Sequence, residues 1–297
     1  MTGRAEEILK FTGTPYTRGV DLARYSTFGI HSVAALLAAP TDAGMLVSLL
    51  THFDKEGVSY RVVGGMSNTM PSSDSFDGVV VVTRKLSRKT VAESSITAEC
   101  GASLSSIVRA LSACALGGLE PFFHIPGTLG GAVYGNAGAH GKEISDVLLS
   151  GVCYSRDTRE VISVSGAEMG FAYRSSRLKS NRLILVSATL AAHTSLPQEI
   201  DAEIERCRTL RQNQPHGVKT LGSTFKRVNG VSAGYYIDKA GLKGVSVGDA
   251  AVSEVHAGFI INRGSAKPCD VLELIRLVKA RVYSVFGIAL EEEICLL

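Results

Sequence analysis

The sequence predicts a globular fold that mixes α-helices and β-strands in about two domains. The chain has 297 residues, of which 45% are hydrophobic and 20% charged, so it can bury a sizeable core. Hydrophobic residues at helical spacing alternate with short β-like runs. Glycine is enriched, at 31 residues against an average usage of about 7%, whereas proline is scarce at 8. This glycine excess therefore needs a local explanation.

The first eighty or so residues of the chain predict a small α/β unit. An amphipathic helix starts after Thr41 and is closed by Gly57. Two short strands follow, at 60–63 and 79–82. A helix capped by Ser103 comes next.

The remaining pattern changes along the chain. Residues 121–141 have no helical period, and the region 197–212 predicts a helix that leads into a final domain. The clearest helix starts at Val271 and is closed by Gly287, and a last short strand is predicted at 288–297. Further β-like runs lie at 148–154, 161–164 and 183–188.

Composition excludes several functional classes. The net charge is only +3, and no Lys/Arg run exceeds two residues, so nucleic acid is not expected as a partner. No run of 18 apolar residues exists, which argues against membrane insertion. Acidic residues near the N-terminus are untypical of a secretory signal. The six cysteines form no CxxC pair, so we expect no metal site and a reducing, cytoplasmic location.

A strand that ends in Gly64-Gly65-Met66-Ser67-Asn68 is the first candidate site. Glycines let backbone N–H groups turn inward as an anion nest, and Ser and Asn add hydrogen bonds to a phosphate. An ordinary strand-to-turn junction would explain the same residues. The segment is not a G-x-G-x-x-G motif, which disfavours a Rossmann site.

The second candidate is the segment 125–141, in which six of seventeen residues are glycine. It lacks the side chains to build its own core, so backbone lying flat against a large ligand is a natural explanation. The alternative, a flexible linker, fits less well because Leu129, Val133 and Tyr134 are apolar.

Separated polar residues form the third candidate. Arg174, Ser223 and Glu293 lie in short motif-like settings, although each could also be a surface or turn residue. If 291–293 is a strand, Glu291 and Glu293 share a face. His256 follows Ser253 too closely for a hydrolase triad, which favours a structural or substrate-contacting role.

Together these segments resemble the UDP-N-acetylenolpyruvoylglucosamine reductases, a family of flavoenzymes of peptidoglycan synthesis. The similarity runs from Tyr25 to Leu297, and type II members, which lack a long insertion, look most similar. It rests on 125–138, Tyr173-Arg174-Ser175-Ser176, Gly222-Ser223-Thr224-Phe225-Lys226, 240–244, 252–262 and 290–293.

The resemblance implies an α+β fold: a two-subdomain FAD-binding fold of the vanillyl-alcohol oxidase (PCMH) type, plus a C-terminal α+β substrate-binding domain. The implied domains are FAD-binding subdomain 1 at 1–85, FAD-binding subdomain 2 at 86–196 and the substrate-binding domain at 197–297. The protein is expected to be a monomer.

The implied reaction is NADPH-dependent reduction of UDP-N-acetylglucosamine enolpyruvate to UDP-N-acetylmuramate through tightly bound, non-covalent FAD. Hydride passes from flavin N5 to the enolpyruvyl group, and Ser223 then protonates the resulting carbanion, for which it needs a buried polar setting. Arg174 stabilises the developing charge, and we expect it to be coupled to Glu293. Implied FAD-binding residues are Gly64, Gly65, Met66, Ser67, Asn68, Pro126, Gly127, Thr128, Gly131, Asn136 and Gly138, and implied substrate-binding residues are Tyr173, Lys226, Arg227 and His256.

The chain departs from the family pattern at four places. Met66 stands where a third glycine is usual, and His31-Ser32 replaces an early glycine pair. Glu292 and Cys295 replace a proline and an arginine near the C-terminus. The alternatives are another FAD-dependent oxidoreductase of the same fold acting on a sugar or alcohol, or a nucleotide-binding protein with a degenerate site.

Overall fold

A computed structural model describes residues 2–297 of the protein. The α-helices of this part are α1 (Thr2–Phe11), α2 (Ala43–Lys55), α3 (Leu104–Ser112), α4 (Leu129–Tyr134), α5 (Pro197–Thr209), α6 (Ala233–Lys239) and α7 (Pro268–Phe286). The strands are β1 (Tyr16–Asp21), β2 (Val33–Ala38), β3 (Tyr60–Val63), β4 (Thr69–Met70), β5 (Ser75–Val82), β6 (Lys89–Ala92), β7 (Ser95–Glu99), β8 (Leu116–Gly117), β9 (Gly138–Ala139), β10 (Lys142–Glu143), β11 (Leu148–Ser155), β12 (Glu160–Ser165), β13 (Leu183–Ala191), β14 (His193–Thr194), β15 (Lys219–Ser223), β16 (Ser246–Val247), β17 (Ala250–Val252), β18 (Phe259–Asn262) and β19 (Cys295–Leu296).

The chain forms two compact units. The first holds the chain up to Arg18, Leu36–Gly65 and Gly78–Leu210, and the second holds Gly19–Ala35, Met66–Asp77 and Arg211–Leu297. Each unit has its own hydrophobic core.

Two sheets carry most of the strands in the N-terminal two thirds of the chain. One has the order β1-β2-β5-β3, and the other, of five strands, has the order β12-β11-β13-β7-β6. In the first sheet β3 and β5 are parallel, with Val63 beside Val82, so both strands end at the same edge. In the five-stranded sheet all neighbouring strands are antiparallel.

The second unit is built on the four-stranded sheet β15-β18-β17-β16 with α6 and α7. Segments from the first third of the chain join it through long-range hydrogen bonds. Asn262 Nδ2 donates to Phe28 O at 3.0 Å, and Thr27 Oγ1 donates to Thr220 O at 2.8 Å. β4 pairs with β19 in parallel.

Capping residues and buried apolar faces explain why the predicted helices α2 and α7 form. Asp42 caps α2 by accepting a hydrogen bond from Met45 N at 2.9 Å, and the apolar face of α2 is buried. In α7, proline takes the first position, and Gly287 closes the helix at a φ of 68°. The strands predicted at 60–63, 148–154, 161–164 and 183–188 are confirmed, each within a slightly longer or identical strand.

Four details differ from the predicted elements. α1 was not predicted, and α4 lies in the region without helical period because its six residues are too few to show one. The predicted strand 288–297 is wrong in extent: only Cys295–Leu296 is a strand, and Glu292 adds a single bridge to Phe225. α5 ends at Thr209 rather than at 212.

The two units do not coincide with the three predicted domains 1–85, 86–196 and 197–297. α5 belongs to the first unit because Ile200 and Cys207 are buried there, and His124 contacts Ile204 O. The division of the first unit into two subdomains stays a prediction. Among residues 2–297, no helix combines the length and the apolar character needed to cross a bilayer.

Candidate active site

Two of the predicted cofactor-binding segments meet in the first unit. Gly64 and Gly65 follow β3, and a Cβ on Gly64 would lie 2.1 Å from Thr128 Oγ1. A Cβ on Gly65 would lie 3.4 Å from Gly127 Cα. The two segments therefore pack directly on each other, and any side chain at Gly64 would have to displace Thr128.

The loop at 126–130 is tied to neighbouring loops by backbone hydrogen bonds. Leu129 N donates to Ala102 O at 2.8 Å, and Gly130 N donates to Cys100 O at 2.7 Å. Thr128 caps α4, while Pro126 and Gly131 are exposed. Two glycine-rich loops with close backbone packing and little side-chain cover suit a long, flat, phosphate-bearing ligand. These residues fit FAD.

Asn136 is buried, and its side-chain amide forms hydrogen bonds within the protein. Its Nδ2 donates to Glu143 Oε2 at 2.8 Å and to Ala172 O at 3.2 Å, and its Oδ1 accepts from Ser145 N at 3.0 Å. Gly138 leaves no room for a side chain, because a Cβ would lie 2.8 Å from Glu143 Cγ and 3.2 Å from an Arg174 terminal nitrogen.

Arg174 lies in a tight turn between Ala172 and Ser175, with a left-handed φ of 54°. A non-glycine residue in this region carries backbone strain, and such strain is typical of functional positions. Its guanidinium donates to Gly138 O at 3.1 Å and to Asn136 O at 3.4 Å. The exposed ring of Tyr173 lies 5.3 Å from the guanidinium carbon.

Ser223 and Glu293 both adjoin Thr224 in the second unit: Ser223 precedes it in the chain, and Glu293 is hydrogen-bonded to it. Ser223 ends β15 after Gly222, and Glu293 N donates to Thr224 O at 2.8 Å. Thr224 is buried and accepts from Ile260 N through its hydroxyl at 3.2 Å. Ser223 itself is exposed, so the protein chain alone does not provide the buried setting that we expected.

Residues 66–68 belong to the second unit, where Asn68 lies beside the C-terminal segment. Asn68 Nδ2 donates to Glu293 O at 3.0 Å, and Asn68 O accepts from Cys295 N at 2.9 Å. Met66 is buried and has a left-handed φ of 44°. The position that is usually glycine in the resembled family therefore keeps a glycine-like backbone here. Ser67 is half-buried.

Two cations lie close to Ser223 in sequence. Lys226 Nζ contacts Glu291 Oε2 at 2.6 Å, and Arg227 donates to Gly230 O at 3.0 Å. Glu292 pairs with Lys279 at 2.9 Å, so Glu291 and Glu292 form ion pairs with different lysines. The charge of Lys226 is thus partly compensated within the protein.

His256 is half-buried in the second unit. Its Nδ1 accepts a hydrogen bond from Gly258 N at 3.1 Å, which leaves the proton of a neutral ring on Nε2. Burial lowers the pKa of His256, so the neutral form is favoured near pH 7. Its ring packs edge-on against Phe259.

Arg174 belongs to the first unit, and Ser223 and Glu293 belong to the second. The coupled Arg174–Glu293 pair therefore stays a prediction. Among residues 2–297, no group of three or more His, Cys, Asp or Glu side chains is placed to hold a metal ion.

Comparison with known proteins identifies the family. A relative from Caldicellulosiruptor bescii, a UDP-N-acetylenolpyruvoylglucosamine reductase, is 38% identical over 97% of this chain and 93% of its own length. The chain belongs to the UDP-N-acetylenolpyruvoylglucosamine reductase family. A second such reductase, from Caldanaerobacter subterraneus, is 37% identical over 99% of this chain and 97% of its own length.

Family models and a solved structure agree with this assignment. Residues 34–159 match an FAD binding domain, and residues 214–297 match the C-terminal domain of UDP-N-acetylenolpyruvoylglucosamine reductase. The crystal structure of this reductase from Thermus caldophilus has a TM-score of 0.81 at 30% identity, over 95% of this chain and 98% of that one. The predicted family, α+β fold, FAD cofactor and flavoenzyme activity are confirmed. The type II assignment and the individual site residues stay predictions.

Sequence reasoning missed Glu143 and Thr224 in this reductase. Glu143 lies two residues after the glycine-rich stretch and contacts both Asn136 and Arg174. Thr224 lies within a quoted motif, but only the structure shows that it links β18 to the C-terminal segment. Neither residue type signals such a role without its long-range partners.

Substituting alanine at the two adjacent glycines should separate fold from cofactor binding. Gly64→Ala places its Cβ on Thr128, so we expect the apoprotein melting temperature to fall by several degrees, in line with about 1–3 kcal/mol of overpacking. Gly65→Ala, whose Cβ makes only ordinary contact, should leave that temperature nearly unchanged while raising the dissociation constant for FAD. Thermal unfolding of apoprotein and flavin titration check both. Equal destabilisation by the two variants would contradict this packing.

Proposed function

We propose that this protein reduces UDP-N-acetylglucosamine enolpyruvate to UDP-N-acetylmuramate, a step of peptidoglycan precursor synthesis, with NADPH as the hydride donor. Family membership over nearly the whole chain supports the substrate class. The observation that carries the chemistry is Arg174, a strained and firmly held cation next to the glycine-rich segment of the unit that matches the FAD binding domain. A cytoplasmic location and a monomeric state remain part of the proposal.

FAD, when bound, supplies hydride transfer from NADPH to the enolpyruvyl double bond. Gly64, Gly65 and 126–128 would hold it through backbone groups, with Gly131 at the exposed start of α4. Met66, Ser67 and Asn68 would extend this surface. Asn136 and Gly138 would act indirectly, because they shape the backbone around Arg174.

Arg174 would stabilise the negative charge that develops on the enolpyruvyl carboxylate during reduction. Its guanidinium is held by two uncharged backbone carbonyls, and its ion pair with Glu143 is long, at 3.8 Å, so its charge is only partly compensated within the protein. A cation that is already in place needs no reorganisation as the charge develops. Tyr173 would cover this cation from one side.

Ser223 would donate the proton that completes the reduction. A hydroxyl is a weak acid, so bound substrate has to bury Ser223, which the protein chain leaves exposed. Glu293 would lie near the same charge, and pairing with Arg174 would limit its repulsion. Thr224 keeps the backbones of Ser223 and Glu293 in fixed register.

Lys226 and Arg227 would bind the diphosphate of the nucleotide sugar. Substrate phosphates would then compete with Glu291 for Lys226. His256, neutral with its proton on Nε2, would donate a hydrogen bond to an uncharged substrate oxygen rather than pair with a phosphate.

Flavin colour tests this function directly. The purified protein should be yellow, NADPH should bleach it without oxygen, and UDP-N-acetylglucosamine enolpyruvate should restore the colour with formation of UDP-N-acetylmuramate. A sugar or alcohol that reduces the flavin, with no response to the enolpyruvyl substrate, would instead indicate a different oxidoreductase. UDP-N-acetylglucosamine, which lacks the enolpyruvyl group, is the matched control and should leave the bleached flavin unchanged.

A further inference from the structure

Glu143 lies at the centre of a small polar cluster in the first unit. β9 and β10 form a hairpin that places Glu143 directly opposite Gly138. One carboxylate oxygen, Oε2, accepts from Asn136 Nδ2 at 2.8 Å. The other, Oε1, lies 3.8 Å from an Arg174 terminal nitrogen. The carboxylate thus connects a buried amide to the guanidinium.

Asn136 gives this cluster a rigid base. It is 1% exposed, and its amide is held by Glu143, Ala172 O and Ser145 N. Its own carbonyl accepts from Arg174. Glu143 and Arg174 are therefore anchored to the same buried residue through different atoms.

Steric fit adds a second constraint. Glu143 Cγ and the Arg174 terminal nitrogen both lie within van der Waals reach of a Cβ that Gly138 lacks. Both side chains therefore pack over the Cα of Gly138, which brings the Glu143 side chain and the guanidinium next to each other. The ion pair itself contributes little binding energy, because Glu143 is 35% exposed and 3.8 Å is beyond hydrogen-bond length.

We propose that Glu143 is a positioning residue for reduction of the substrate: together with Asn136 it holds the Arg174 guanidinium at the carbonyls of Asn136 and Gly138, facing the substrate carboxylate. This inference rests on the proposed role of Arg174. Displacement of a reacting group by about 1 Å can lower a rate by about a hundredfold, so a residue without substrate contact can affect the chemical step strongly.

The experiment measures the two half-reactions of the FAD-loaded enzyme separately by stopped flow. In Glu143→Ala, flavin reduction by NADPH should stay within about twofold of wild type, whereas reoxidation by the enolpyruvyl substrate should slow by about 10–100-fold, mainly in kcat rather than KM. Glu143→Gln keeps the acceptor for Asn136, so it should recover much of this loss. If the alanine variant fails to retain flavin, Glu143→Asp carries the test: its carboxylate is one methylene shorter, so reoxidation should still slow while flavin reduction stays near wild type, and unchanged reoxidation in this variant overturns the inference. Glu93→Ala, at an exposed glutamate between β6 and β7, is the matched control.

Combination with Arg174→Ala decides whether Glu143 acts through Arg174. If it does, Glu143→Ala adds nothing to the reoxidation defect of Arg174→Ala. An unchanged reoxidation rate in Glu143→Ala, or a full additional loss in the double variant, overturns the inference while leaving the role of Arg174 intact. Normal reoxidation in Arg174→Ala alone overturns the proposed mechanism and this inference with it.

Discussion

Ser223→Ala is expected to abolish turnover of the enolpyruvyl substrate while leaving flavin reduction by NADPH near normal. The substitution removes the proposed proton donor but no contact that holds the fold, because Ser223 is exposed at the end of β15. Positioned general acids contribute about 10²–10⁴-fold to a rate, so kcat should fall by that factor. Stopped-flow measurement of each half-reaction checks the result.

Two further variants sharpen this test. Ser246→Ala changes a serine at an exposed position of the same sheet and should leave both half-reactions unchanged. Ser223→Cys keeps an ionisable proton near the same place and should retain more activity than the alanine variant. Normal turnover in Ser223→Ala would remove Ser223 from the mechanism.

Asp54→Ala is expected to have the largest effect on stability. Asp54, in the last turn of α2, accepts hydrogen bonds from the hydroxyls of Tyr60 and Tyr154, at 3.0 Å each to Oδ2. Arg156 donates to Oδ1 from two nitrogens, at 2.8 and 3.1 Å, and its guanidinium lies 4.6 Å from the centre of the Tyr60 ring. Burial, with Asp54 nearby, raises the pKa of Tyr154 to about 12.

Removing this carboxylate leaves two buried hydroxyls and a guanidinium without their acceptor. Loss of one partner of a buried ion pair costs about 3–5 kcal/mol, and we expect about 2–4 kcal/mol here because Arg156 is 32% exposed. Urea unfolding should show this loss as a lower midpoint.

Asp157→Ala is the matched control for Asp54→Ala. Asp157 also pairs with an arginine, Arg182, at 3.2 Å, but the two side chains are 57% and 72% exposed. Exposed pairs contribute about 0–1 kcal/mol, so the control should unfold close to the wild-type midpoint. Equal losses in the two variants would show that burial of the Asp54 cluster contributes nothing.

Local patterns predicted the long elements well. α7 was predicted from its apolar face and Gly287, and β11 was predicted from the apolar run at 148–154. Both predictions succeeded because burial of one face gives a helix or strand a hydrophobic period that can be read in the sequence. The prediction for 288–297 failed because its pairing partners, Phe225 and β4, lie far away in the chain. α4 was missed because one short helix with two glycines has no readable period.

The sequence by itself determined the family, because several motifs in order carry the resemblance, and the resemblance in turn implied the fold class, the cofactor and the candidate residues. Only the tertiary structure decided which of those residues contact each other. Asp54 meets Arg156, and Asn136 and Glu143 meet Arg174, across long stretches of chain. It also decided why Gly64 is glycine, because the atoms that would clash with a Cβ there belong to Thr128, in a distant segment. Local sequence encodes the period of one element, whereas side-chain clearance depends on how separate elements pack.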